Sequence, residues 1–179
     1  FTFPILREEL RASYYYYGYP SLDPEVYLVA EMTGWESLGL VDGMADISYG
    51  GSEVGRSLIL WSEVQDRMIL PIGRDNSVYM DRSEIADEKY FQEQLIGKKR
   101  KNTMAYRLSL KNNNGFLIRF KLMEQVPLSQ TKSAEVEMEE LSGAVYNSGT
   151  GDVSWTLDMS PGQTETLKLI YTIDMEGRY

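Results

Sequence analysis

Alternation between apolar and polar residues dominates the second half of the chain. Apolar side chains occupy every second position over residues 104–110 and again over 116–122, and most positions between them are polar or charged. The same alternation recurs at 134–138, 153–157 and 167–173. A period of two is typical of strands with one buried face. Because such strands cover their apolar faces by packing two sheets together, these five segments predict a β-sandwich of immunoglobulin-like size.

Turn residues between the segments predict how the strands connect. The Asn-Gly pair at 114–115 predicts a β-hairpin, because both residue types tolerate a positive φ. The Gly-Gly pair at 50–51 predicts a second hairpin, and residues 73–76 predict a further turn in which Asp75 bonds its own backbone. The Ser-Pro-Gly segment at 160–162 matches a type II turn, since Pro fixes φ and Gly supplies its positive value.

The first half is also rich in strand-like segments, although its pattern is less regular. Residues 83–97 follow neither the strand nor the helix period, so a strand tail, a loop and one helical turn all stay open there. The basic run at 98–101 then marks a boundary. We predict an all-β chain with more than about 40% strand and almost no helix, against a usual strand content of about 20–25%. It should form two packed antiparallel β-modules, residues 1–97 and 98–179, the second an immunoglobulin-like β-sandwich.

The register of the alternation predicts which residues form the core of the second module. Residues on the apolar face are expected to be buried, whereas Arg107 and Lys121 lie on the opposite face. A slip of one residue would exchange the two faces, so burial tests the register directly. The predicted core consists of Tyr106, Leu108, Phe116, Ile118, Phe120, Trp155, Leu157, Leu169 and Tyr171.

Composition narrows the chemistry available to the chain. The 179 residues include no His and no Cys, which excludes Ser-His-Asp triads, thiol nucleophiles, disulfides and zinc sites built on these ligands. The 27 acidic and 18 basic residues give a formal net charge of −9, which disfavours nucleic acid and anionic lipid as main partners. The sequence also lacks an apolar run near the roughly 20 residues that a membrane span needs.

Short segments spread over nearly the whole chain, from about Tyr16 onward, carry a family resemblance. In the first half they read VYL at 26–28, GMA at 43–45, EVGRS at 53–57 and LPIGRD at 70–75. In the second half they read YRLSLKN at 106–112, EQVPLS at 124–129, GTGDVSWTL at 149–157, PG at 161–162 and LKLIY at 167–171. In this order, the segments resemble the C-terminal domain of the bacterial mucoidy-inhibitor family.

The resemblance implies a context rather than a reaction. The family's domain is one of unknown function, so it supplies no catalytic residue and no cofactor. The family's name comes from an effect on mucoid growth, which implies a location at the cell envelope or in the periplasm. The family's full proteins carry a further N-terminal region, often with a coiled coil, and we expect this chain to be a fragment or a processed form that begins inside the domain.

The most unusual local feature is a run of tyrosines near the start of the chain. On a strand, successive tyrosines point to opposite faces. Exposed rings would form an aromatic platform on which a sugar ring stacks, whereas buried rings would cover a sheet, which is the commoner role of Tyr in strands. The candidate ligand or partner surface consists of Tyr14, Tyr15, Tyr16, Tyr17, Tyr19 and Trp35.

Carboxylates are abundant, but their spacing matches no known site. Asp75 and its neighbours lack the alternating ligands and the closing Glu of a calcium loop. The acidic row at 135–140 is typical of a solvated strand face. Glu31 is the strongest candidate for a carboxylate in an apolar environment, because it lies in the apolar run 26–32. We predict no catalytic residue, no metal site and no cofactor.

Three functions stay open on this basis. The lack of a catalytic constellation favours a non-catalytic structural or protein-interaction module of a cell-envelope protein, whose partner is another protein or another region of the full-length protein. Exposed aromatic residues would instead favour a carbohydrate-binding module. Two facing carboxylates in a cleft, about 5 to 9 Å apart, would favour a hydrolase. We predict the first function, and we expect the chain not to be an enzyme, not to bind nucleic acid and not to span a membrane.

Overall fold

The structure of the chain, a computed structural model, describes residues 8–60, 67–87, 90, 94–96, 99–128 and 134–176. Strands hold 69% of these residues, and the described part of the chain contains no helix longer than three turns, so the all-β prediction is confirmed. The strands are β1 Arg11–Tyr19, β2 Asp23–Thr33, β3 Gly43–Tyr49, β4 Ser52–Ile59, β5 Met68–Arg74, β6 Val78–Glu84, β7 Gln94–Ile96, β8 Lys99–Asn112, β9 Ile118–Gln125, β10 Ala134–Glu140, β11 Val145–Asn147, β12 Asp152–Met159 and β13 Thr164–Glu176. A 3-10 turn at Glu36–Leu38 lies between β2 and β3.

The chain divides into two compact units. Unit 1 contains the residues up to Tyr16 together with Tyr27–Arg74, and unit 2 contains Tyr17–Val26 together with Asp75–Tyr179. This division differs from the predicted boundary at 97/98, and those two residues lie outside the described ones. The strands β6 and β8 lie on either side of the predicted boundary, yet they pair with each other. Their pairing places β6 in unit 2.

Unit 2 is built from two antiparallel sheets. One sheet has the strand order β10-β13-β8-β6, with β7 also paired to β8. The other has the order β11-β12-β9 and continues into the tip of the β1–β2 hairpin, Tyr17–Val26, which belongs to the same unit. This sandwich is compatible with an immunoglobulin-like fold. Its largest fully buried apolar side chains include Phe120, Leu108, Leu110, Leu122, Met159 and Leu169.

The connection after β8 differs from the predicted hairpin. β8 pairs with β13 and β6, whereas β9 pairs with β12. The chain therefore crosses from one sheet to the other through the Asn-Gly pair at 114–115, and the hairpin prediction was wrong. A local turn signal does not record which strand lies alongside in space, and that is decided by sheet packing. The turn at 73–76 likewise links strands of different sheets, because β5 pairs with β2 and β6 with β8.

A buried asparagine, Asn112, fixes this crossover. Its Nδ2 group shares its two N–H donors among the carbonyl oxygens of Phe116 at 2.9 Å, Met159 at 3.0 Å and Ser160 at 3.1 Å. Its Oδ1 accepts a hydrogen bond from the backbone N–H of Asn114 at 2.9 Å. The side chain is fully buried, so these bonds replace the ones it would make to water. Asn112 therefore joins the loop after β8 to the loop after β12.

Most of the predicted core is buried, but two members are not. Phe116 is 58% exposed, because β9 begins only at Ile118 and leaves Phe116 in the crossover loop. Leu157 is half-buried. Arg107 on the opposite face is exposed, which confirms the predicted register. The buried members are Tyr106, Leu108, Ile118, Phe120, Trp155, Leu169 and Tyr171.

Unit 1 contains the β3–β4 hairpin and a pairing of β2 with β5. The hairpin turns at Gly50 and Gly51, whose φ angles are 58° and 83°. Two successive positive φ angles match the tight turn that favours the twist of a two-stranded hairpin. The hairpin predicted from the Gly-Gly pair is therefore confirmed.

Two other predicted turns have the expected geometry. Gly162 has a φ of 73°, and the N–H of Gln163 donates to the carbonyl oxygen of Ser160 at 3.0 Å, as in a type II turn. Asp75 accepts a hydrogen bond on Oδ1 from the backbone N–H of Ser77 at 2.8 Å. Asp75 is therefore a turn residue, as its sequence context predicts.

The ambiguous segment 83–97 begins as a strand tail. β6 extends to Glu84, and β7 covers Gln94–Ile96. The N–H of Ile85 donates to the carbonyl oxygen of Ala105 at 2.9 Å and prolongs the contact of this segment with β8. Residues 88–89, 91–93 and 97 lie outside the described residues.

Candidate functional site

The structure does not assemble the predicted aromatic surface as one exposed patch. Three of its six members are less than 9% exposed and pack in the interior, and these are Tyr15, Tyr16 and Trp35. Tyr14 is 52% exposed, whereas Tyr17 and Tyr19 are half-buried. A buried ring has no free face to offer a sugar. The run of tyrosines therefore acts mainly in packing.

Tyr14 lies beside a different surface, which is formed by the β3–β4 hairpin of unit 1. Its ring centroid lies 6.1 Å from that of Tyr49 at the end of β3, and the two rings are tilted by 54°. Tyr49 is itself 47% exposed. A tilted pair is a favourable aromatic contact, but it is not the flat platform that stacks on a sugar ring.

The outward face of the hairpin carries exposed apolar side chains. Met44 and Leu58 lie directly opposite each other in the register, and they are 65% and 58% exposed. The next cross-strand pair on this face, Asp46 and Arg56, forms an ion pair. An apolar pair beside a charged pair has the chemistry of a small interface, with an apolar centre and a polar rim. We call the four residues the hairpin face.

Both edges of the hairpin are also open. Within the described residues, β3 and β4 pair only with each other. The outer edge of each strand therefore presents backbone N–H and C=O groups to which another strand can add. Val54 in β4 and Ile69 in the neighbouring β5 add exposed apolar area, at 40% and 59%.

The sequence contains a signal for this face. β3 carries apolar residues on both of its faces, with Met44 on one and Ile47 on the other. A two-stranded hairpin that packs on one side buries only one face, and Ile47 is the buried residue. An apolar residue on the second face therefore indicates an exposed patch as soon as the hairpin is recognised.

A second unusual site is a buried charged pair inside unit 2. Glu124 is the last inward-facing residue of β9, and its side chain is 0% exposed. Arg82 approaches it from β6 of the opposite sheet, with Nε 3.1 Å from Glu124 Oε1. The two groups form a close charge contact without the alignment of a good hydrogen bond. The guanidinium carbon of Arg82 lies 3.6 Å from the ring centroid of Tyr106, which adds a cation–π contact.

Burial controls the titration of this cluster. Burial raises the pKa of Glu124 above its ordinary value, and the positive charge of Arg82 and a hydrogen bond from Ser21 oppose this only in part. Burial also raises the pKa of Tyr171 to about 12, with a further contribution from Tyr106. The rings of Tyr106 and Tyr171 lie 6.4 Å apart. On acidification, therefore, Glu124 takes up its proton at a higher pH than an ordinary carboxylate.

The register of β9 contains the signal for Glu124. The inward positions of this strand run through Ile118, Phe120 and Leu122 to Glu124, so a charged residue occupies an apolar position. The alternation predicted over residues 116–122 extends by one more step to Glu124, and this step indicates a buried carboxylate.

Two carboxylates that the sequence analysis singled out are paired with cations. Glu31 is 14% exposed at its side chain, and its Oε1 accepts a hydrogen bond from Nη1 of Arg67 at 2.7 Å. Glu137, in the acidic row of β10, lies 3.9 Å from Nζ of Lys101, as expected for a solvated strand face. The described residues include no group of three or more acidic side chains that could hold a metal ion.

Among the described residues of the chain, none of the helical segments combines the length and the hydropathy that crossing a bilayer requires.

Comparisons with known proteins assign a family. The sequence profile of DUF4139, a domain of unknown function, matches residues 7–176. Because the match covers nearly the whole chain, the chain belongs to this family. A search of curated proteins finds no match. This match confirms the prediction that the chain is a domain of unknown function.

Proposed function

We propose that this member of the DUF4139 family is a non-catalytic protein-interaction module, and that the hairpin face is its contact surface. The observation that carries the proposal is the direct opposition of Met44 and Leu58, both more than half exposed. Covering two such side chains would contribute about 2–4 kcal/mol to association. Exposed apolar residues that lie together on one face are typical of surfaces that contact a partner.

The open edges of the hairpin define the kind of partner. A polypeptide in extended conformation can add to the edge of β3 or β4 through backbone hydrogen bonds, while its side chains cover the hairpin face. Asp46 and Arg56 would then lie at the rim of the contact and favour one register of the partner over others. The partner is a separate protein or another region of the full-length protein.

The carboxylates support a non-catalytic role. Glu31 is held by Arg67 as a counter-ion, and the side chain of Glu124 has no exposed surface with which to contact a substrate. One route to general acid–base chemistry without His uses two accessible carboxylates whose environments separate their pKa values. Neither of these two residues supplies such a group.

The finer context rests on the sequence resemblance. Similarity to the mucoidy-inhibitor family supports a place for the protein at the cell envelope or in the periplasm. The carbohydrate-binding alternative has less support, because half of the aromatic residues on which it depends are buried.

Site-specific photo-crosslinking in cells that produce the protein tests the contact surface. A photoreactive amino acid is introduced at Leu58 on the hairpin face, and the matched control carries it at Phe116, which is also 58% exposed but lies in unit 2. Covalent adducts of discrete mass are expected from position 58. Position 116 should give few adducts.

The outcome depends on the comparison of the two positions. Equal adduct patterns at 58 and 116 would show that exposure alone determines crosslinking. The absence of adducts at 58 would contradict the hairpin face as a contact surface.

A further inference from the structure

The pair of Arg82 and Glu124 differs from the ion pairs on the surface of the chain. The side chains of Arg119 and Asp158 are 59% and 54% exposed in their pair, whereas Glu124 is 0% exposed. Removing a charged pair from water costs more than its mutual attraction returns in many proteins, and apolar residues of similar size often hold the same elements more stably. A charged pair at this position therefore points to a role other than stability.

The position of Arg82 on its strand indicates what this role is. Among the described strands, β6 lies at the edge of its sheet. Its first half is held by the buried side chains of Val78 and Met80, and the N–H of Asn113 donates to the carbonyl oxygen of Ser77 at 2.8 Å. In its second half the inward position is taken by Arg82, and Glu84 is exposed. The contact with Glu124 therefore links this end of β6 to the opposite sheet.

We propose that Glu124 is a proton-operated latch between the two sheets of unit 2. When its carboxylate takes up a proton from water, the ion pair with Arg82 is lost and the end of β6 around Arg82 opens. The rest of the sandwich stays folded, because its apolar core and the Asn112 crossover do not depend on this pair.

The surroundings of Glu124 make it the group that responds to acid. The pKa values of the Tyr19 and Tyr171 phenols lie above their ordinary value, and Val153, opposite Glu124 in the register of β12, is apolar. Asp152 is an acidic group that acts on Tyr17 and Tyr19. The groups that act on Glu124 are Arg82 from β6, Tyr171 from β13, Tyr19 from β1 and Ser21 from the β1–β2 turn. Tyr106 from β8 contacts the guanidinium of Arg82.

The two partners behave differently after protonation. A neutral carboxylic acid is far less costly to bury than a carboxylate, so Glu124 stays inside the sandwich. Arg82 keeps its charge, and its side chain already reaches water at 26% exposure. It can extend its guanidinium further into solvent while its methylene groups stay on the protein. The opening is therefore local and reversible.

Amide hydrogen exchange on the intact chain measures this opening. The N–H of Ile85, bonded to Ala105, reports on the Arg82 end of the strand, and the N–H of Asn113, bonded to Ser77, reports on the other end. Between about pH 7 and about pH 4, close to the ordinary pKa of a glutamic acid, Ile85 should lose protection after correction for intrinsic exchange. Asn113 should show no change in protection.

Two variants separate the latch from general effects of acid. In Glu124→Gln the protection of Ile85 should be the same at both pH values, because the side chain no longer titrates. Asp158→Asn removes an exposed carboxylate from a surface pair and should keep the response of the parent chain. Unchanged protection of Ile85 in the parent chain, or a response that persists in Glu124→Gln, would overturn the proposal.

A direct titration covers the case in which Glu124→Gln fails to fold. The carboxyl carbon of Glu124 is followed by NMR in the parent chain over the same pH range. Its midpoint should coincide with the midpoint of the change in Ile85 exchange. Two distinct midpoints would show that another group opens the strand.

Discussion

The side chain of Asn112 lies at the end of β8, and its Nδ2 is 3.0 Å from the carbonyl oxygen of Met159 at the end of β12. The two strands belong to opposite sheets of unit 2. The same region is joined by two backbone hydrogen bonds, from the N–H of Asn112 to Gln163 and from the N–H of Gly162 to Asn112. One buried amide therefore connects the β8–β9 crossover to the β12–β13 crossover.

Replacement of Asn112 by Ala should destabilise unit 2 by about 2–4 kcal/mol, because several buried carbonyl groups lose their donor at once. Chemical denaturation followed by Trp fluorescence measures the change. Asn113→Ala is the matched control, since Asn113 is exposed and contributes its backbone N–H to the structure. An equal loss of stability in the two variants would contradict the role assigned to the Asn112 side chain.

Trp155 is the largest side chain on the inward face of β12, at 3% exposure, and its Nε1 donates to the carbonyl oxygen of Leu141 at 2.8 Å. Trp155→Ala should lower the free energy of unfolding by about 3–5 kcal/mol through cavity formation. Thr156→Ala, at the next and exposed position, should change it by less than about 0.5 kcal/mol. Thermal or urea unfolding followed by circular dichroism provides the measurement. A small effect at Trp155 would mean that this end of the core is loosely packed.

Tyr171 gives a prediction for alkaline pH. Its pKa rises from 10.0 in the unfolded chain to about 12 in the folded protein, chiefly because of burial. The folded state therefore favours the protonated phenol, so this contribution to stability is fully present below pH 10.0 and is lost as the pH rises through about 12. The Tm of the parent chain should fall over this range, and the fall should be smaller in Tyr171→Phe. Parallel Tm curves for the two proteins would show that Tyr171 ionises like an ordinary phenol.

Glu31 allows a test of the non-enzymatic role. The parent chain and Glu31→Gln are assayed for turnover of envelope polysaccharides and peptidoglycan, and we expect none from either protein, because Glu31 is occupied by Arg67. Turnover that disappears in Glu31→Gln would show that the chain is a hydrolase. Turnover that persists in the variant would move the catalytic role to another carboxylate.

The sequence predicts where the strands of this protein lie better than it predicts which strands pair with each other. Alternation in β8, β9, β12 and β13 identifies the buried faces, because burial of one face imposes a period of two along each strand. Pairing depends on contacts between segments far apart in the chain, and the Asn-Gly pair at 114–115 carries no information about them. The crossover there rests on Asn112, whose importance comes from the carbonyl groups of Met159 and Ser160.

The candidate sites show the same limit. The tyrosine run is conspicuous in composition, yet the structure buries Tyr15 and Tyr16. The hairpin face depends on the direct opposition of Met44 and Leu58, which follows from the register of one hairpin. The contact of Arg82 with Glu124 joins two sheets, and no local pattern predicts which residues meet across a sandwich.

The hairpin face is tested most directly by removing its apolar residues and leaving the rest of the chain intact. Cells that naturally make the protein are given the full-length form with Met44→Ser and Leu58→Ser. A control carries Phe116→Ser and Leu117→Ser, an exposed apolar pair of unit 2. The apparent molecular mass of the native protein in extracts is then compared by size-exclusion chromatography. We predict that the hairpin variant loses its high-mass complex while the control retains it, and retention of the complex by the hairpin variant would contradict the interaction surface proposed here.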